Sequence, residues 1–237
     1  GFTTHIALNL FATNMQIDIL GRDHFALAVQ FDLLKDLYGQ LPDIRIIANL
    51  ESEDNPMANV PCAMPRDRFE EIPLSQWKDE PARMLLIGAM TGKTIRKILM
   101  HFQSIMPMAP ERFLRLVHPS AVTALSAHIG YGTVIEPLSV ISSFARLHDF
   151  VWVKRGATVG HHTVIESYTN INPGVTIASG CSIGSECLIG VGATISDRVT
   201  IGPRSIVGAG SVVLKDVPPG KIVVGNPARI LRDNDKY

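Results

Sequence analysis

The chain has 237 residues, 46% of them apolar and 19% charged, with Lys plus Arg equal to Asp plus Glu at 22 each. The composition is that of a globular protein: no apolar run is long enough to span a bilayer, and a formal net charge of zero leaves no general field for nucleic acid or an anionic membrane, so neither is expected as a partner. The scattered cysteines Cys62, Cys181 and Cys187 make neither a disulfide framework nor a zinc site, and residues 1–14 lack the order of a signal peptide, which predicts a reduced, cytoplasmic protein without bound metal.

After residues 1–14, which show no clear period, the first half alternates strand and helix signals. "MQIDILG" is a β-rich run ending at Gly21, "HFALAVQFDLLKDLYG" has helical spacing and a glycine stop, and "DIRIIANL" reads as a buried strand. "RMLLIGAM" is a third strand, "GKTIRKILMHFQSI" an amphipathic helix, and "RFLRLVHP" a fourth strand leading out of the region. The βαβ order predicts a small Rossmann-like parallel sheet over residues 1–116, with a ligand at the carboxyl ends of its strands, near Gly21 to His24, Asn49 to Ser52 and Gly88 to Lys93. "GAMTGKT" is one residue short of a phosphate-binding Walker loop, and "GRDHFA" has a single glycine where a dinucleotide loop needs three, so neither an NTPase nor an NAD enzyme is expected.

A repeat governs residues 117–237. Stepping by six from Ile129, the chain reads Ile135, Ile141, Leu147, Val153, Val159, Ile165, Ile171, Ile177, Ile183, Ile189, Ile195, Ile201, Val207 and Val213, every one aliphatic. Two residues before each stands a small one, from Ala127 and Thr133 through Cys181 and Cys187 to Ser205 and Ser211. A period of six fits neither a helix nor an alternating hairpin strand. It fits a triangular coil of three short strands and three corners per 18 residues, the hexapeptide-repeat parallel β-helix. Cys181 and Cys187 fall on inward positions and are expected to be packing residues. Glycines just after the aliphatic position (Gly130, Gly160, Gly184, Gly190, Gly202, Gly208) are expected at corners that tolerate no bulk.

The run from "VHPSAVTALSAHIGYGTVI" through "ATVGHH" and "NPGVTI" to "VGAGSVVLKDVPPGKIVVGNPARIL" resembles the bacterial hexapeptide-repeat sugar acetyltransferases that include sialic acid O-acetyltransferase and the UDP-4-amino-sugar N-acetyltransferases. The resemblance covers Val117 to Leu231, and its carboxyl end is shared by many hexapeptide acyltransferases. It implies a left-handed coil, a homotrimer with grooves between neighbouring coils, and acetyl-CoA as acyl donor. It further implies transfer to an amino or hydroxyl group of a nucleotide-linked sugar in bacterial surface glycan synthesis. The family's base motif is an aliphatic residue, any residue, His, then Asp or Glu; here it reads Val159, Gly160, His161, His162, which makes His161 the candidate base and puts His162 in the acid's place.

By the same resemblance, Ser179 stands where a glycine main-chain NH serves the oxyanion, and Asn170 where some members carry a second histidine. Acetyl-CoA is placed near Gly192, Ala193, Gly210 and Ser211, with Lys215 and Arg229 for its phosphates. The acceptor is placed near Gly21, His24 and Asn49, the only remnants of the family's sugar-nucleotide loop and acidic pair. Asp149, in the corner register of His161, is a candidate to orient it. Two other classes fit the coil: a binding or scaffold protein that has lost turnover, and a zinc enzyme, for which no two of the coil's histidines have the required five-residue spacing. An acyltransferase with a non-nucleotide acceptor is a further alternative.

Overall fold

The computed structural model describes residues 15–48 and 69–235, which fall into two compact units. The first contains the described residues up to Met90 together with Thr94–Leu114, and the second contains Thr91–Lys93 together with the chain from Arg115 onward. The expected acceptor contact Asn49, the "NLES" stretch and Cys62 lie outside the described residues.

In the first unit, β1 (Gln16–Leu20), β2 (Asp43–Ala48), β3 (Glu70–Pro73) and β4 (Met84–Ile87) form one parallel sheet in the order β3-β2-β1-β4. Helix α1 (His24–Tyr38) starts on Asp23, whose carboxylate accepts from the amides of Phe25 and Ala26, and stops at Gly39, which takes a left-handed φ of 75°. Helix α2 (Gly92–Ile105) has the span its spacing predicts. It buries Ile95, Ile98, Leu99 and Phe102, the i, i+3, i+4, i+7 stripe.

The expected fourth strand divides differently. Within "RFLRLVHP", Phe113 makes one isolated parallel bridge to Leu85, while Leu116–Val117 pairs with Val134–Ile135 and is already part of the coil. The sheet's remaining strand is β3, "EEIP", which is short, mostly exposed and acidic and so carries no hydrophobic signal.

The sheet's core is crossed by one ionic cluster. Asp18 is fully buried on β1 and accepts from both Arg45 (2.8 and 2.7 Å), from Arg83 (2.5 Å) and from the indole of Trp77 (2.8 Å). Arg83, itself 3% exposed, continues to Asp43 at 2.9 Å. Burial by itself would raise the Asp18 carboxyl; the bonds from Arg45, Trp77 and Arg83 outweigh it and hold the group below its ordinary value of 3.8.

From Leu116 onward the two-residue strands stack in parallel with an 18-residue register, as in Thr158 to Thr176 to Thr194, and so form three flat faces. The period starts two strands earlier than Ile129, at Leu116–Val117 and Val122–Thr123. A hairpin, Lys221–Gly225 with Ala228–Asp233, closes the last face. Every aliphatic position of the six-residue register is buried except Ile129, and every small position except Ala127, both on the opening turn and partly buried.

The small positions also satisfy the main chain. Thr163 donates to the carbonyl of Ala178 and accepts from the amide of Cys181; Thr169 does the same for Gly184 and Cys187. Where the inward residue is cysteine the sulfur takes over the donor part, Cys181 toward Ser196 and Cys187 toward Gly202. Burial raises both thiols, that of Cys187 to about 12, so neither is a nucleophile near neutrality.

Two registers of corner are superimposed. The glycines just after the aliphatic position are there for space: a Cβ on Gly130, Gly160 or Gly202 would stand 2.4 to 2.5 Å from main-chain atoms of the next turn, at an ordinary negative φ. Two residues further on, every corner from 132 to 210 is left-handed, and only six of those fourteen residues are glycine. The others are Leu138, Phe144, Phe150, His162, Tyr168, Glu186, Arg198 and Arg204, with φ between 57° and 63°. Each donates its amide N–H in a hydrogen bond to the preceding turn, as His162 does to the carbonyl of Ser143 at 3.2 Å.

Candidate active site

The histidine pair sits at one such corner. Val159 points into the core, Gly160 lets the next turn approach, and His161 and His162 emerge exposed. Their rings are perpendicular, with Nδ1 facing Nδ1 at 3.0 Å. The His162 ring also packs on Phe144, its stack neighbour one turn earlier, with centroids 4.9 Å apart.

One turn later along the same corner come Ser179 and Gly180, and then Asp197 and Arg198. The six residues from His161 to Arg198 line an open depression of about 360 Å³. The coil thus brings together the three candidates His161, His162 and Ser179, which the sequence spreads over 19 positions. It adds Asp197 and Arg198, which the sequence reading passed over. The signal was available, since both continue the 18-residue series from His161 and His162.

Two expectations about this site are corrected. The amide of Ser179, expected to face the oxyanion, donates to Asp197 at 3.0 Å, and the neighbouring Gly180 amide donates to the carbonyl of His161 at 2.9 Å. Neither NH is left for a ligand in this state, and Arg198 is the cation among the residues that line the depression. Asp149, expected as an orienter of His161, stands at a different corner: twelve residues is two thirds of a coil, and its carboxylate accepts from the Tyr131 amide at 2.7 Å.

The expected acetyl-CoA residues divide by exposure. Gly192 and Gly210 are consecutive members of one left-handed corner, and nothing lies within 4 Å of where their Cβ atoms would be, so they leave a smooth strip along the coil. Ala193 and Ser211 are inward and buried, 0% and 1% exposed, so their side chains cannot meet a ligand there, and their amides already donate to the carbonyls of Gly190 and Gly208. Lys215 and Arg229 are exposed cations toward the carboxyl end.

In the sheet unit, Gly21 adopts φ 100° at the end of β1 and its main chain meets Gly88 at the end of β4, where the strand order reverses. His24 follows on α1 with both ring nitrogens buried and no hydrogen-bond partner among the described residues. Asp23 already satisfies the first amides of α1, so the helix start is not open to a pyrophosphate in the way a glycine-rich loop would leave it. Among the described residues no three His, Cys, Asp or Glu side chains are grouped to hold a metal, and no helix is long and apolar enough to cross a membrane.

Comparison with known proteins agrees with this architecture. Residues 180–215 match the bacterial transferase hexapeptide (six repeats) family model. No curated protein sequence matches the chain significantly. Among solved structures, the acetyltransferase domain of PglB from Neisseria gonorrhoeae in complex with acetyl coenzyme A is 25% identical, with a TM-score of 0.73 over 92% of this chain and 100% of that one. PerB from Caulobacter crescentus, in complex with CoA and GDP-perosamine, is 24% identical with a TM-score of 0.72 over 92% and 98%. WeeI from Acinetobacter baumannii is 23% identical with a TM-score of 0.74 over 92% and 100%. Residues 180–215 thus carry the hexapeptide repeat of bacterial transferases, and the chain shares its fold with these solved structures.

Proposed function

We propose that the protein transfers an acetyl group from acetyl-CoA to an amino or hydroxyl group of a nucleotide-linked sugar, with His161 as general base. The observation that carries this reading is the corner depression, where an exposed imidazole held through Nδ1 leaves its Nε2 side for a substrate proton. The likeness to the PglB domain that binds acetyl coenzyme A supports the donor, and the likeness to PerB, whose complex holds GDP-perosamine, supports the class of acceptor.

Acetyl transfer needs a base for the acceptor's proton and positive charge near the developing oxyanion. His161 Nε2 takes the proton from the acceptor N–H or O–H as that atom bonds to the thioester carbonyl carbon. When the C–S bond breaks, the same nitrogen returns the proton to the departing thiolate. Arg198, rather than the engaged amides of Ser179 and Gly180, supplies the nearby positive charge.

The strip at Gly192 and Gly210 fits an extended arm lying along the coil, and Lys215 and Arg229 fit its phosphates. Exposed apolar residues on the coil, Val122, Leu125, Leu138 and Phe144 among them, fit side-by-side packing in a trimer that would cover them. Gly21 and His24 at the reversal of strand order fit the acceptor's nucleotide end, and the chemistry fits a cytoplasmic enzyme of surface glycan synthesis.

Calorimetry with acetyl-CoA and a panel of UDP-, GDP- and dTDP-amino sugars tests this. Binding of acetyl-CoA together with one nucleotide sugar is expected. Binding of acetyl-CoA alone would discard the nucleotide-linked acceptor, and binding of neither would discard the enzyme in favour of a scaffold.

A further inference from the structure

The transfer reaction asks for a specific tautomer of His161: a lone pair on Nε2 and therefore a proton on Nδ1. In the motif this chain resembles, a carboxylate fixes that proton, and here the position is His162. We infer that His162 is the positioning residue, its neutral Nδ1 accepting the Nδ1–H of His161, so that an imidazole pair replaces the imidazole–carboxylate pair. The inference rests on the reading of His161 as base.

The geometry leaves little choice. Two ring nitrogens 3.0 Å apart need one proton between them, because two lone pairs or two N–H groups at that distance repel. If His162 donated, His161 would carry its proton on Nε2 and could not act as base; if His161 donates, Nε2 is free. His162 is itself held on two sides, by the hydrogen bond from its amide to the Ser143 carbonyl and by its ring against Phe144. Asp197, the carboxylate of the depression, is engaged by the Ser179 amide.

Proton uptake acts directly on the bond between the two rings. When His161 takes the acceptor's proton, its Nδ1–H···Nδ1 bond becomes charge-assisted and strengthens. When a second proton arrives from acidic solvent, both Nδ1 atoms carry hydrogen and the bond is lost. The charged side chains that face the pair in the depression are Asp197 and Arg198, and both are retained in every variant below.

The left-handed corner supplies clean variants. Glycine occupies six of the fourteen equivalent corners, so His162→Gly keeps the turn and removes the acceptor. Asparagine tolerates the same backbone, and its Oδ1 lies as many bonds from Cα as the imidazole Nδ1. We expect kcat to fall in His162→Gly by about 10- to 100-fold, part of the ~10²–10⁴ that a general base supplies, with KM for acetyl-CoA unchanged. His162→Asn restores most of it. His162→Asp also restores it and moves the acid limb of the rate profile to higher pH, because a carboxylate favours the imidazolium. No loss in His162→Gly, or equal loss in Gly and Asn, overturns the assignment.

Nitrogen-15 NMR of the unmodified protein reads the pair without turnover. His161 protonated on Nδ1 beside His162 protonated on Nε2 is the expected result. Both rings protonated on Nε2 would overturn the pairing even in an active enzyme. The expected tautomers in a protein that acetylates no acceptor would keep the pairing and discard the transfer reaction.

Discussion

The coil and the sheet unit hold themselves together in opposite ways. In the coil, each inward side chain meets residues 18 positions away in a fixed register, so that a hydroxyl such as Thr163 finds its two partners at Ala178 and Cys181 by the same offsets as Thr169 finds Gly184 and Cys187. In the sheet unit the decisive contacts have no period: Asp18 gathers Arg45, Trp77 and Arg83 from 27, 59 and 65 residues along the chain. Repetition lets one turn of the coil be judged from the next. The charge cluster is a single event that ties β1 and β2 to the segment leading into β4.

This difference can be broken most severely at Asp18. Replacing it by alanine leaves the buried Arg83 with only the exposed carboxylate of Asp43, and loss of one partner of a buried ion pair costs about 3–5 kcal/mol. We expect denaturant unfolding to show the loss in the sheet unit, with the coil's transition in place; a uniform shift of both would contradict this expectation.

The same cluster sets the response to acid. The Asp18 carboxyl is lowered in the fold, and Asp43 likewise, so their contribution is present above the ordinary carboxylate value of 3.8 and is lost as pH falls below it. Acid titration followed by tryptophan fluorescence should therefore report Trp77 of the sheet unit before the coil's Trp152.

Within the coil, the two corner registers make a finer test. Gly160→Ala places a Cβ 2.5 Å from the main chain at Ala178 and should cost about 1–3 kcal/mol or more, since backbone cannot move aside. Gly156→Ala has a left-handed φ of 68° with open space and should cost only ~1 kcal/mol. Thermal melts of the pair measure this, and equal costs would mean that the two registers are not physically different. The smallest effect expected is at the thiols: with Cys187 raised to about 12, neither it nor Cys181 should react with a thiol reagent until the coil unfolds.

Most of the coil was legible because its physics repeats. The inward register, the burial of Cys181 and Cys187 and the exposure of His161 follow from counting by six. What counting could not show was conformation that side chains disguise. Phe144, His162 and Tyr168 occupy left-handed corners that glycine alone would have announced, and the glycines that were conspicuous mark close approach instead.

In the sheet unit the amphipathic helices were legible and β3 was not, because "EEIP" is held by its pairing to β2 and not by burial. At the site, the sequence placed His161 and His162 together, but neighbouring residues alone do not reveal that the Ser179 amide is taken by Asp197, a carboxylate one full turn away. The same offset of 18 would have found it, as it would have found Arg198.

The measurement that tests the account most directly is acetyl transfer from labelled acetyl-CoA to the nucleotide amino sugar that the protein binds, comparing the unmodified chain with His161→Ala. A loss of at least about 10²-fold in turnover with donor affinity retained is the predicted result. Undiminished turnover in His161→Ala would contradict it.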